Sequence, residues 1–197
     1  MTSALNDQSL DQIFRSARTP NSRADRPVED DTVREIYDLM KWGPTSANSS
    51  PARFVWVRSA DGKATLAGLA AEPNKPKILK APVTVIIGHD LDFAGKLPKL
   101  LPHNAEVMQK YFAAPNMAEV TAMRNGTLQG AYLIVAARAL GLDCGPMSGF
   151  DNAGVDRTFL SGTRIQSNFI CSISYGGPAS VFPGNPRLSF EEAGRWA

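Results

Sequence analysis

The sequence predicts an α+β fold in which helices pack on a mixed β-sheet. Residues 82–88 are apolar and rich in β-branched side chains, which is typical of a strand covered on both faces. Residues 116–140 form the longest helical candidate, and their second half is apolar nearly all round, as in a buried helix. Strands and helices do not alternate regularly, which disfavours a doubly wound nucleotide-binding fold.

The remaining elements follow from local patterns. A first helix begins with a capping-box pattern at residues 9–12. A second begins near Asp30 or Asp31, carries an apolar stripe and stops at residues 42–44. Further strands are predicted over 54–57 and 169–175.

Two other features concern packing. The segment 90–115 contains three prolines, so we expect a long excursion with one or two short helices, suited to a lid or a partner contact. In the long helix, Gly126 and Gly130 lie one turn apart and would let another backbone approach closely.

Composition predicts a single domain over residues 1–197. The chain is 43% hydrophobic and 20% charged with a net charge of +2, and its scattered basic residues disfavour nucleic-acid binding. No apolar run approaches a membrane span and the N-terminus lacks a signal-peptide pattern, so we expect a cytoplasmic protein. A disulfide between Cys144 and Cys171 stays open, although two buried thiols are the simpler account.

Motifs for protein-borne catalysis are missing from the sequence. Neither a glycine-rich dinucleotide fingerprint, a Walker sequence nor a nucleophile elbow occurs. The two histidines, His89 and His103, lie outside metal-ligand spacing, and neither Ser46 nor Ser148 has a histidine placed as its base. The chemistry therefore comes from a cofactor, or the protein is not an enzyme.

Three segments suggest a cradle for a flat, phosphorylated ligand. Arg18 carries a guanidinium fork that binds phosphate well. Residues 43–51 concentrate short hydrogen-bonding side chains, and residues 145–150 are small enough for backbone N–H groups to approach a ligand. Taken alone, Arg18 is more typical of a solvated surface group and residues 43–51 of an ordinary helix-to-strand loop, and residues 145–150 also fit a plain turn.

Together and in this order, these segments resemble the nitroreductase family of FMN-dependent oxidoreductases, and especially the subgroup that contains the malonic semialdehyde reductase of pyrimidine catabolism. The resemblance implies a three-layer α/β/α fold and an intertwined homodimer with FMN at the interface. The matching runs are 39–48, 139–143, 145–150 and 187–193.

The resemblance also implies the site residues. Arg18 and Arg187 would meet the phosphate, the loop around Asn48 would line the ring and ribityl chain, and Pro146 would pack over the isoalloxazine. The N–H groups of residues 148–149 would face flavin N5 and O4. The full cofactor-binding set is Arg18, Thr19, Asn21, Pro44, Thr45, Ser46, Asn48, Pro146, Met147, Ser148, Gly149 and Arg187.

The phosphate end departs from the family pattern. Residues 17–21 lack further arginines, Asn185 replaces a basic residue, and Ser50 replaces a glutamine. We therefore expect phosphate binding to depend mainly on Arg18 and Arg187.

The expected activity is hydride transfer from NADH or NADPH to a small acceptor, with no catalytic side chain and no metal. The acceptor is a 3-oxo acid semialdehyde such as malonic semialdehyde, reduced to 3-hydroxypropionate, or a nitroaromatic or quinone. In the dimer, we expect Arg18 and Asn48 of one chain to share an FMN with the partner subunit's Ser148. Two alternatives are an FMN-storage or sensor protein and a dimerisation scaffold built on Gly126 and Gly130.

Overall fold

The computed structural model describes residues 3–19, 24–176 and 183–197. Its helices are α1 (Asp7–Leu10), α2 (Asp30–Met40), α3 (Ala60–Gly68), α4 (Lys75–Lys80), α5 (Leu97–Leu100), α6 (Ala105–Phe112), α7 (Met117–Ala139), α8 (Asn152–Phe159) and α9 (Phe190–Ala193). A π-helical turn, Asp11–Arg15, continues α1, and 3-10 turns span Ser46–Asn48, Phe93–Lys96 and Pro102–Asn104. The strands are β1 (Ala52–Val57), β2 (Val83–Asp90), β3 (Asp143–Met147) and β4 (Ile165–Ser174).

The four strands form one sheet in the order β1-β2-β4-β3. Every pairing among them is antiparallel, so the prediction of a mixed sheet is wrong for the described residues. The reason lies in the connections: α3 and α4 return the chain to the end of the sheet that it has just left, because Val57 pairs with Thr84. Element order along the sequence does not reveal at which end a connection returns.

Helices cover both faces of the sheet, which confirms the three-layer α/β/α arrangement. One core cluster joins α2 and α7 to the face that carries Val83, Val85 and Ile87. A second cluster joins α3, α4 and α8 to the opposite face, which carries Ile86 and Ile170. This alternation along β2 follows from the two-residue period of a strand, and it explains why β2 is apolar throughout.

Helix α7 packs closely on the sheet through its glycines. A Cβ at Gly126 would lie 2.9 Å from the Cβ of His89 on β2, and one at Gly130 would lie 2.5 Å from Cζ of Phe169 on β4. The close approach predicted for these glycines is therefore confirmed, but it serves the chain's own sheet. The dimerisation-scaffold alternative loses its main support for that reason.

Two local predictions need correction. The first helix begins at Asp7, and Asn6 caps it by accepting from Ser9 N–H at 2.9 Å, so Ser9 is not the cap. Residues 145–147, predicted to form a turn, belong to β3. Pro146 is tolerated there because β3 is an edge strand, where a missing N–H costs no ladder hydrogen bond.

The segment after β2 forms short helices, as predicted. Phe93, Leu97 and Phe112 are buried in a third apolar cluster with Ala122 of α7. Within the described ranges, no helix is both long enough and apolar enough to cross a membrane.

Candidate functional site

The N-terminal segment brings Arg18 against the C-terminal tail. Arg18 Nη1 donates to the carbonyl oxygens of Arg15 and Ala17, both at 2.8 Å. A Cβ at Gly184 would collide with the Arg18 guanidinium, so the glycine provides the space that this side chain occupies. The Thr19 hydroxyl donates to the carbonyl of Cys144 on β3 at 3.3 Å, which fixes the segment at that edge. Asn21 lies outside the described residues.

Arg187 lies near the same place in the fold. It lies three positions after Gly184, so the Cα atoms of the two residues are at most about 11 Å apart. Arg187 Nη1 donates to the carbonyls of Asn185 and Pro186, at 2.7 and 3.1 Å. Across the described ranges, neither Arg18 nor Arg187 forms an ion pair with a carboxylate. Both predicted phosphate ligands therefore carry a charge that no carboxylate among the described residues compensates.

The loop of residues 44–51 has an unusual backbone. Ala47, Asn48 and Ser50 have φ angles of 53°, 48° and 40°, which are left-handed values that residues with a Cβ rarely adopt. Ser50 N–H donates to the Thr45 hydroxyl at 3.1 Å and closes the loop. Pro44, another predicted ligand, is exposed at its start.

The tip of this loop is tied to the segment after β2. Asn48 Nδ2 donates to the carbonyl of Leu100 in α5 at 2.8 Å. Ser46 and Asn48 are both exposed, whereas Ser49 between them is fully buried. Part of the amide of Asn48, which was predicted to line the ligand, is thus used to hold the loop.

The segment that follows β3 presents free backbone donors. Pro146, Ser148 and Gly149 are exposed, whereas the Met147 side chain is 7% exposed within the second core cluster, so only the Met147 backbone can reach a ligand. The Gly149 carbonyl accepts from Ala71 N–H at 2.9 Å. Among the described residues, no acceptor bonds the N–H groups of Ser148 or Gly149.

A cavity of about 430 Å³ opens beside these donors. It is lined by residues 68–71 and 148–151. Asn74 Nδ2 donates to the Gly149 carbonyl at 3.1 Å and so stabilises this part of the cavity lining. The predicted N5-facing residues thus border an open concave surface.

A single chain does not bring all predicted ligands together. Thr19 lies at the β3 edge of the sheet, and the loop of residues 44–51 enters β1 at the other edge. Three strand spacings separate the two edges, which amounts to about 14 Å. The fold thus keeps Arg18 and Asn48 of one chain at opposite edges of the sheet, which disfavours the expectation that they serve the same FMN.

Sequence reasoning missed two buried amides behind the loop. Asn125 and Gln129 of α7 are 3% and 5% exposed, and they accept from the backbone N–H groups of Ser46 and Ala52, both at 2.8 Å. Their signal in the sequence was two amides on the buried face of an otherwise apolar helix. A buried polar side chain in such a place requires a partner.

Burial also governs the titratable groups near the sheet. Burial lowers the pKa of His89, an effect that Gln166 and Asp156 partly offset. The buried His89 Nδ1 has no hydrogen-bond partner among the residues that the structure describes. The pKa of the Cys171 thiol is raised by its hydrogen bond with Cys144 and by burial. Both cysteines are free and buried, in agreement with the simpler of the two accounts.

The described residues contain no cluster of three or more histidine, cysteine or acidic side chains able to hold a metal ion. What the site offers is an exposed strand edge, free backbone donors and two arginines. These features are suited to binding an anionic organic molecule.

Comparison with known proteins defines the class. The family model described as the nitroreductase family matches residues 15–176, and the chain belongs to that family. A provisionally named NADH dehydrogenase/NAD(P)H nitroreductase of Xanthomonas oryzae pv. oryzae is 58% identical over 197 residues, covering 100% of both chains. A relative with the same provisional name from Caulobacter sp. strain K31 is 58% identical over 191 residues, covering 97% of each.

The fold agrees with solved structures. A provisionally named nitroreductase from Exiguobacterium sibiricum 255-15, crystallised with FMN, superposes with a TM-score of 0.86 at 20% identity and full coverage of both chains. At that identity the likeness shows the fold alone.

Proposed function

We propose that this protein binds FMN and passes hydride from NADH or NADPH to a small organic acceptor. The observation that carries the proposal is the pair of backbone N–H groups at the exposed residues Ser148 and Gly149, which bond to no acceptor in the described part of the chain. Consecutive free donors on an open surface favour a ligand edge that accepts hydrogen bonds. The names of the relatives, which refer to NAD(P)H, and the FMN in the solved neighbour support the same chemistry.

The phosphate end of the proposed site rests on Arg18 and Arg187. Their guanidinium groups have no carboxylate partner in the described part of the chain, and a phosphate would pair with both. Gly184 supports this arrangement, because any side chain at that position would push Arg18 from its place. The residues present therefore fit a phosphorylated ligand.

The rest of the ligand would run along the outer edge of β3. Thr19 contacts this strand at Cys144, and Ser148 follows its last residue. At a rise of roughly 3.3 Å per residue, Cys144 and Ser148 are about 13 Å apart, which suits an elongated molecule with its phosphate at one end. Thr19 and the backbone of Met147 would line the path between them.

We propose that a second copy of the chain completes the site with its loop of residues 44–51. The loop carries Thr45, Ser46 and Asn48, and within one chain it leads into β1, at the opposite edge of the sheet from β3. Large apolar side chains on α7 are available for an interface, since Val120, Met123 and Leu128 are 47%, 47% and 45% exposed. An interface of this kind buries such residues.

When bound, FMN supplies the position that accepts hydride from the nicotinamide and donates it to the acceptor. The protein would hold the FMN and adjust the reduction potential of its ring. The N–H groups of residues 148–149 would stabilise negative charge on the ring edge, and the exposed Pro146 would offer an apolar surface. Hydride transfer itself requires no protein acid or base.

The acceptor is the finer part of the proposal. The sequence resemblance favours a 3-oxo acid semialdehyde such as malonic semialdehyde, and an open ring face would also admit nitroaromatics and quinones. Steady-state kcat/KM for malonic semialdehyde and for a nitroaromatic separates these substrates. A semialdehyde value no higher than the nitroaromatic value would overturn the semialdehyde assignment.

The absorption spectrum of the purified protein tests the function itself. We expect a flavin spectrum, or its appearance after reconstitution with FMN, and bleaching on anaerobic addition of NADH or NADPH. A protein that takes up no FMN contradicts the proposal. FMN binding without bleaching by either nucleotide would instead support a storage or sensor protein.

A further inference from the structure

The loop of residues 44–51 is held in a conformation that its own sequence does not favour. Ala47, Asn48 and Ser50 all adopt left-handed backbone angles without being glycine. Outside this loop, Asn116 is the other such residue in the described ranges. Surrounding structure must impose a conformation of this kind, and such imposed strain concentrates at functional sites.

Asn125 of α7 supplies one support. Its Oδ1 accepts from Ser46 N–H at 2.8 Å, and its Nδ2 donates to the Thr121 carbonyl one turn earlier at 2.9 Å. The second bond fixes which end of the amide faces the loop, because only the oxygen can accept from Ser46. At 3% exposure, Asn125 meets no competing solvent.

Gln129 supplies the other support. It lies one helical turn after Asn125 and therefore on the same face of α7. Its Oε1 accepts from Ala52 N–H at 2.8 Å, where the loop enters β1. Gly126 and Gly130 alternate with these amides and bring α7 close enough to the sheet for both side chains to reach the loop.

We propose that Asn125 is a positioning residue for the flavin, acting through the loop rather than by touching the cofactor. Its bond to Ser46 holds the start of the left-handed turn, so that Thr45, Ser46 and Asn48 keep the shape that meets FMN. Gln129 fixes the opposite end of the loop in the same way. This inference rests on the proposed function, since it assigns the loop to the FMN site.

Hydrogen exchange on the cofactor-free wild-type protein tests the support directly. Ser46 N–H should exchange at least about tenfold more slowly than Ala47 N–H, which has no acceptor among the described residues. Equal exchange at the two amides would overturn the proposal. This measurement does not depend on FMN, so it is informative even if the proposed function fails.

FMN titration of three variants tests the link to the cofactor. Asn125→Leu keeps the volume but removes the acceptor, and should raise the FMN dissociation constant about tenfold. Asn125→Asp keeps an acceptor oxygen and should recover most of that loss. Leu133→Ala, on the same helix but in the sheet-facing core, should reduce thermal stability and leave FMN affinity within about twofold.

The outcomes distinguish the positioning role of Asn125 from the proposed binding of FMN. Wild-type FMN binding with unchanged affinity in Asn125→Leu would overturn the positioning role and leave the proposed function intact. Equal losses of FMN affinity in Asn125→Leu and Leu133→Ala would show that only helix stability matters, which also overturns the role. A wild-type protein that binds no FMN would overturn the proposed function instead.

Discussion

Two segments lie at the same end of the strands but at opposite edges of the sheet, and different interactions hold each of them in place. The loop of residues 44–51 is shaped by buried amides of α7 and contains three strained residues. The segment of residues 148–149 is held by bonds to its own carbonyls and leaves its N–H groups free. The first segment therefore depends on side chains distant in sequence, and the second on small residues that leave the backbone accessible.

The largest expected effect is a loss of folding stability in a variant of α7 that leaves the loop of residues 44–51 intact. Leu133→Ala removes a fully buried side chain between α7 and the sheet, and should lower the free energy of unfolding by about 2–5 kcal/mol. Urea unfolding measures the loss. If the core and the loop are held independently, Leu133→Ala should leave FMN affinity nearly unchanged. A large loss of FMN binding in this variant would show that the shape of the loop depends on the packing of the core.

The next effect removes a ligand contact at the β3 edge without disturbing the fold. Arg18→Ala should weaken FMN binding by about 1.5–3 kcal/mol, the value of a hydrogen bond to a charged group. FMN fluorescence titration measures the change. Arg15→Ala is the matched control, because Arg15 pairs with Asp7 and Asp11 and its loss should leave FMN affinity unchanged. Equal affinity in the Arg18 variant would show that the phosphate lies elsewhere.

A smaller loss of stability tests whether the segment after β3 depends on small residues. In Gly149→Ala, the new Cβ would lie 2.9 Å from Asn74 Nδ2, so Asn74 must shift and stability should fall by about 1 kcal/mol. The melting temperature should drop by about 2–4 °C, with several-fold weaker FMN binding. Gly68→Ala borders the same cavity but its Cβ meets nothing within 4 Å, so FMN affinity should stay unchanged and, because Gly68 is the last residue of α3, the melting temperature should not fall.

The smallest expected effect is a dependence of folding stability on pH, through His89, which packs against α7. Burial lowers the pKa of His89 in the folded protein, so the unfolded chain binds more protons in the window below the ordinary value of about 6.5. The resulting stability is fully present above that value and is lost as pH falls toward the depressed pKa. Urea unfolding at about pH 7.5 and about pH 5.5 should show the difference.

The His89 prediction has an internal control in the second histidine. His89→Gln should flatten the pH dependence, whereas His103→Gln, at an exposed position, should preserve it. A slope that persists in the His89 variant would assign the pH dependence to another group.

Much of the layered fold was predictable because its signals are local. The period of α2, the apolar run of β2 and the length of α7 each follow from neighbouring residues, and the structure contains all three. β3 was missed because glycine and proline usually indicate a turn, and only its position at the sheet edge makes Pro146 acceptable.

The family was also readable from sequence, since its signatures are short runs of residues, and the family match confirms it. The residues assigned to the FMN site stay a prediction. The sequence alone thus determined α2, α7, the apolar strand β2 and the family. Tertiary structure alone decided the antiparallel pairing, the separation of Arg18 from Asn48, and the support of the loop by Asn125. These depend on contacts between residues far apart along the chain, which no local period or motif encodes.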